Sequence, residues 1–198
     1  MGWNDLALDA EKETKEKRDR WISVYIGVVA VILAICAMGG GNATKDSTRY
    51  NIEATNGWNF FQAKNLRRNA LLLSVDELEL TLKANPQFNA EAKALYEDKI
   101  KTRKADIARL ANDPVGKEGL DQLFERNKGL EKQRDESLRR DPYFDYGQAF
   151  LQIAIVIASV ALISSGNLLL VFSALCAVLG ALSTLNGFTM LFNVPFIG

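Results

Sequence analysis

Asp76, Glu77 and Glu79 in "SVDELEL" place carboxylates within one turn of a helix, and Arg67 and Arg68 stand just before them, downstream of Trp58 and Phe61. Clustered carboxylates could hold a hard cation, and guanidiniums beside aromatic rings could hold an anion. Neither group converges with further donors, and a solvated helix face accounts for the charges. Aromatic side chains at helical spacing usually pack, so Trp58 and Phe61 are read as packing residues before ligand contacts. The chain contains no histidine, which removes the commonest general base and the commonest zinc ligand together. Gly39 to Gly41 lack the following Lys and Ser/Thr of a phosphate loop. The expectation is therefore no catalytic, cofactor or metal residue, no cofactor and no enzymatic activity.

The elements that would position these residues follow from where the apolar residues lie. Lys plus Arg number 24 and Asp plus Glu number 24, interleaved rather than clustered. Such a pattern argues against a nucleic-acid surface. The stretch 22–38 carries no charge, and neither does 147–198. The second is long enough for two spans parted by "SSGN", a turn-forming run. We expect membrane helices over 21–38, 147–165 and 168–190, a charged N-terminal helix or tail over 1–20 and a C-terminal tail over 191–198. "AMG" at 37–39 loosely fits a signal cleavage site, but the preceding leader is long and acidic, so the segment is read as a retained span. Cys36 and Cys176 both fall in apolar spans and read as small packing residues.

Residues 39–146 read as a charged, amphipathic helical domain without strand-like alternation. The glycines at 39–41 suggest a hinge with Asn42 or Thr44 as a cap, and Pro86 stops the first long helix. Asn89 caps the next helix, and Asp113–Pro114 and Asp141–Pro142 read as two further helix starts. Trp58, Phe61, Leu66, Leu73 and Leu80 form one apolar stripe, and Tyr96, Ile100 and Ile107 form another, both expected to pack against helices or subunits. Trp21, Tyr143, Phe144 and Tyr146 flank apolar segments and suit a membrane-interface belt. Within the spans, Ala30 and Ala34, Ala154 and Ala158, and Ser173, Ala177 and Ala181 recur at spacings that let helices approach closely.

The stretch "GGGNATKDSTRYNIEATNGWNFFQAKNLRR", above all its "WNFFQAK" element, resembles a family of bacterial membrane proteins defined by a domain of unknown function, DUF4337. The resemblance implies a helical middle and two C-terminal spans, and brings no activity or catalytic residue with it. One departure is the turn "SSGN", which lacks the basic residues that the family often carries there. The fold expected is thus an all-α integral membrane protein: three transmembrane helices with an extramembrane helical hairpin or coiled-coil-like domain between the first and second. Stripes too thin for a full single-chain core suggest a self-associating scaffold, a homo-oligomer in contact with membrane lipids, with an unidentified membrane-protein partner as a further prospect. A channel or energy-transducing subunit is the alternative on layout, although the spans hold no ionisable side chain of the kind proton pathways use. Lys12, Lys15, Lys17, Arg18 and Arg20 crowd the short N-terminal flank, which places it in the cytoplasm and the helical domain in the periplasm of a bacterial inner membrane.

Overall fold

The computed structural model describes residues 3–164 and 167–193, and among them the chain forms four α-helices and no strand. These are α1 (Trp3–Ala84), α2 (Ala90–Ala111), α3 (Leu120–Ser164) and α4 (Asn167–Thr189). Helices α1, α3 and α4 are each long and apolar enough to cross a membrane. Two compact units result, one gathering Met1–Ser47 with Asp135–Gly198 and the other comprising Thr48–Arg134. Their boundaries fall inside the 39–146 segment rather than at its ends, because packing, not charge, divides the chain.

A period of seven runs through the helices. In the first unit Ile22, Val29, Cys36 and Ala43 are the buried apolar positions of α1, each seven residues from the last. Ile26, Leu33, Gly40 and Ser47 lie between them, half-buried or buried, so the spacing alternates four and three. On α4 the buried Ser173, Ala177, Gly180, Thr184 and Gly187 keep the same alternation. A seam repeating every seven residues keeps one face of a helix against its neighbours, as in knobs-into-holes packing. In the second unit Ala54, Gly57, Phe61, Lys64, Arg68, Leu71, Val75, Leu78 and Leu82 of α1 hold that register, all buried or half-buried. Leu120, Leu123, Asn127 and Leu130 do so on α3, and Tyr96, Ile100, Arg103, Ile107 and Leu110 on α2.

Local signals set some boundaries as expected. Helix α1 stops at Ala84 ahead of Pro86, and Asn89 Oδ1 accepts from the Ala92 backbone N–H at 2.8 Å to cap α2. Three other expectations are corrected. Gly39 to Gly41 are not a hinge, and neither Asn42 nor Thr44 caps a helix, since α1 is continuous for 82 residues. Each helical glycine costs about 1 kcal/mol relative to alanine. The return is contact: a Cβ on Gly39 would strike the Phe144 and Phe188 rings, and one on Gly40 would lie 3.1 Å from Phe144 Cβ. Asp113 does not start α3 with Pro114. Its Oδ1 accepts from Gly116 N at 2.9 Å and its carbonyl from Lys117 N at 2.8 Å, forming a closed turn before α3 begins at Leu120. Asp141 and Pro142 do not begin a helix either, because Pro142 lies inside α3. An interior proline costs on the order of 3 kcal/mol, which packing of the next two residues, Tyr143 and Phe144, each 2% exposed, offsets. The expected turn at "SSGN" has Ser165 and Gly166 outside the described residues.

The tightest glycines give a direct test. Gly180→Val would drive a branched side chain at Leu151 and the Gly147 carbonyl, which already lie 2.7 and 3.0 Å from where a Cβ would sit. It should lower stability in detergent by about 1 to 3 kcal/mol, the usual range for overpacking. Gly27 has nothing within 4 Å of its Cβ position, so Gly27→Ala should leave the melting transition within about 0.5 kcal/mol of wild type. Equal effects of the two substitutions would refute the assigned packing.

Candidate functional site

Polar groups meet in three places. In the first unit the node is Ser173, wholly buried on α4. Its hydroxyl donates to the Ala154 carbonyl on α3 at 2.7 Å and pairs with the Tyr25 hydroxyl of α1 at 2.9 Å. With its single proton given to Ala154, Ser173 must accept from Tyr25, so one hydroxyl links three helices. Nearby, Cys36 Sγ contacts the Phe144 carbonyl at 3.3 Å, and Ser183 Oγ donates to the Tyr143 carbonyl at 2.6 Å. Every partner in this set is a hydroxyl, thiol or carbonyl.

The second unit holds the aromatic centre. Trp58 meets Phe61 at 5.4 Å between centroids and Phe124 of α3 at 5.6 Å, both edge to face. Such rings attract through their quadrupoles in addition to the area they bury. Trp58 Nε1 donates to Glu131 Oε1 at 2.9 Å, and Lys128 Nζ holds the other carboxylate oxygen at 2.9 Å. The Lys128 hydrogen bond, then that of the indole, draws the Glu131 carboxyl below its ordinary value. Beside this centre lies Asn127, wholly buried with neither side-chain atom hydrogen-bonded, and it fills the space that any side chain at Gly57 would occupy. Lys64 Nζ reaches the Glu118 carbonyl at the head of the α3 turn. On α2, Lys104 pairs with Glu79 of α1 at 2.6 Å and lowers the Glu79 carboxyl through that hydrogen bond and its charge.

The third place is a cleft of about 250 Å³ at the end of α4, lined by Glu136, Arg139, Arg140, Met190, Phe192 and Asn193. Asn186 clasps its edge, with Nδ2 donating to the Phe192 carbonyl at 2.8 Å and Oδ1 accepting from Phe192 N at 2.9 Å. Among the described residues no serine, cysteine or histidine lines it, and those that do offer charge and apolar wall. Among the described residues there is also no group of three or more His, Cys, Asp or Glu placed to hold a metal ion.

The expected site residues divide sharply. Trp58 and Phe61 come together with Phe124, which the apolar spacing of the third helix also offers for packing, and are joined by Lys128 and Glu131, whose part that spacing did not reveal. The one available signal was that Lys128 and Glu131 stand three apart on the face that carries Phe124. Tyr96, Ile100 and Ile107 are half-buried on α2, and Tyr96 stacks on Phe88 at 5.5 Å. Leu66, Leu73 and Leu80 do not join the seam and are 72%, 70% and 66% exposed. Of the belt residues, Trp21 and Tyr146 are exposed, whereas Tyr143 and Phe144 are core, Phe144 against the glycines opposite it and Tyr143 with its hydroxyl donating to the Phe192 carbonyl. Ala154, Ala158, Ser173 and Ala177 are buried and Ala181 half-buried, but Ala30 and Ala34 stay exposed because the seam of α1 passes through Val29, Leu33 and Cys36 instead.

These features define an all-helical protein with three helices of membrane-crossing length and composition. The particular family follows from the sequence: residues 18–190 match the family described as Domain of unknown function (DUF4337), and the chain belongs to it. No curated protein and no solved structure matches the chain.

The indole–carboxylate contact makes two measurable predictions. Trp58→Ala should cost about 2 kcal/mol, less than for a fully buried aromatic because Trp58 is half-buried, while Trp58→Phe should retain most of the ring contribution. Because the folded Glu131 titrates below its ordinary value of 4.5, its stabilising contribution is complete above that value and is lost as pH falls through the lowered one. The melting difference between wild type and Glu131→Gln should hold steady from about pH 7 to about pH 5 and shrink progressively as pH falls below the ordinary value of 4.5. A difference that stayed constant down to pH 3 would contradict the assignment.

Proposed function

We propose that this chain is a multi-pass scaffold of a bacterial inner membrane that works by self-association rather than by catalysis. The apolar parts of α1, α3 and α4 are its spans, and the segment between the first and second forms a coiled-coil-like helical domain outside the bilayer. Exposed apolar side chains on the span segments, among them Val24, Val28 and Val31 on α1 and Val171, Phe172 and Leu175 on α4, suit contact with lipid. Trp21 suits the interfacial layer. The basic flank before the first span favours a cytoplasmic N-terminus and a periplasmic helical domain.

The observation that carries self-association is the imbalance within Thr48–Arg134. Its buried apolar residues are Ala54, Val75, Leu120 and Leu123, while Ile52, Phe60, Leu66, Leu73, Leu80 and Leu95 remain exposed. A unit with so thin a core gains stability by covering that surface with another chain. The reading as a channel or energy-transducing subunit draws no comparable support, since Cys36, Leu151, Ala154 and Ala158 close the interior of the apolar unit and no ionisable carboxylate stands among them.

Native mass spectrometry in mild detergent should find oligomers of the full chain, and a strictly monomeric particle would sink the proposal. For orientation, Val115, 93% exposed in the turn before α3, is a suitable reporter. Val115→Cys should react with a reagent that cannot cross the inner membrane. Labelling only after that membrane is opened would reverse the topology.

A further inference from the structure

We infer that the cleft at the end of α4 is a headgroup site for an aminophospholipid, in which Arg139 and Arg140 take the phosphate, Glu136 takes the amine, and Met190 and Phe192 meet the apolar part of the lipid. All of its lining residues lie in the compact unit that joins Met1–Ser47 to Asp135–Gly198. The wall of the cleft is built by a specific set of bonds. Asn186 donates to the Phe192 carbonyl and accepts from the Phe192 N–H, and the Tyr143 hydroxyl donates to the same carbonyl at 3.2 Å. Three hydrogen bonds thus fix one backbone unit beyond the last turn of α4. Met190 closes that turn at φ 50°, with its N–H on the Asn186 carbonyl at 2.7 Å. Glycine or asparagine ordinarily takes this left-handed position at a helix end. Methionine is strained there, and what it adds is a side chain that lines the cleft.

Depth and charge select the occupant. With α4 as a span, its 23 uncharged residues cover about 34 Å, slightly more than a hydrocarbon core of about 30 Å, so Met190 to Asn193 emerge at the headgroup layer. On α3 the uncharged stretch starts at Gly147, and Arg140 stands roughly 10 Å before it, from where an exposed guanidinium reaches the same layer. Guanidiniums bind phosphate oxygens through paired N–H donors. Two of them alone would accept any anionic lipid. Glu136 narrows the choice, because an ammonium next to the phosphate satisfies its carboxylate, whereas a phosphoglycerol headgroup brings it only further negative charge. Glu136 precedes the two arginines at spacings that permit ion pairs along a helix. Among the described residues no ion pair within the chain engages any of the three. At about 250 Å³ the cleft is smaller than the ~300–1,000 Å³ of sites that enclose a drug-sized molecule, so it admits a headgroup and leaves the acyl chains outside. Exposed Leu185 and Phe188, on the span side of Met190, supply apolar surface for them.

The test reconstitutes the full chain in vesicles of equal parts phosphatidylethanolamine and phosphatidylglycerol, extracts it in mild detergent and measures the lipid retained per chain by native mass spectrometry. Because retention is counted per chain, the result is independent of oligomer size and so of the self-association reading. Wild type should retain phosphatidylethanolamine in preference. Arg139→Gln with Arg140→Gln should lower that retention about ten-fold or more, with helix content by circular dichroism unchanged. Lys132→Gln, an exposed charge on α3 outside the cleft, should have no effect. Glu136→Gln should abolish the preference while both lipids still bind. Soluble phosphoethanolamine, which lacks the apolar part, should not displace the lipid, and displacement by it at equal concentration would overturn the lipid as the source of the headgroup. Equal retention of the two lipids by wild type, a preference that survives Glu136→Gln, or a loss with Lys132→Gln as large as with the arginine pair would each overturn the site.

Discussion

Phe144 occupies a place that exists only because Gly39, Gly40 and Gly187 have no side chains. Its ring lies against all three and edge to face on Phe188 at 4.9 Å. Much of the first unit depends on this contact. It explains why α1 continues through consecutive glycines and why α3 runs through Pro142, since the ring two residues later fixes that part of the helix. It also sets the height of α4 against α1 and α3, because Gly187 and Phe188 must meet the same ring. A helix held at one such point needs neighbours in register along its length, which the repeat of seven provides.

Within that register the two units use different chemistry. In the first, the polar seam members are Ser173, Thr184 and Cys36, and each hydroxyl or thiol has a carbonyl within reach. Short donors of this kind satisfy their bonds within a helix or across one neighbour, which is what an apolar surrounding demands. In the second unit the seam includes Lys64, Arg68 and Asn127, whose longer or bulkier polar groups would be costly in lipid. Lys64 buries its stem while its ammonium reaches the turn before α3 through the Glu118 carbonyl, so the lysine both fills the seam and ends in a polar environment.

That difference explains what could be read in the sequence. Breaks governed by local chemistry, such as Pro86 and the Asn89 cap, were legible because the residues involved act on their own backbone. The aromatic pair Trp58 and Phe61 was legible for its size and spacing. The correct face beyond Phe61 was not, since counting apolar residues selects Leu66, Leu73 and Leu80, whereas the chain's own seam runs through Lys64, Arg68, Leu71, Val75 and Leu78. A lysine stem and an arginine stem pack as hydrocarbon, but they read as charge. Gly39 to Gly41 misled for the converse reason: without the ring of Phe144, more than a hundred residues away, nothing near them in the sequence distinguishes a close contact from a hinge. Tyr143 and Phe144 likewise sit where an interfacial belt would start, and contacts distant in sequence turn them inward: glycines of α1 and α4 against the Phe144 ring, and the Phe192 carbonyl accepting from the Tyr143 hydroxyl.

Asn127 shows which of stability and specificity the second unit favours. A buried amide with no hydrogen-bonding partner costs about 1 to 3 kcal/mol, and an apolar residue of similar volume would avoid that cost. What the amide achieves is placement. It fits only against Gly57, because a Cβ there would collide with it, so sliding α3 by one heptad along α1 would bring it to Tyr50 in one direction or to Lys64 in the other. Shifts of seven residues are the natural error of a heptad seam, since they preserve the repeat. Trp58 reinforces the choice from the adjoining turn, where its N–H finds Glu131 only in this register. The unit thus gives up core stability to fix one alignment.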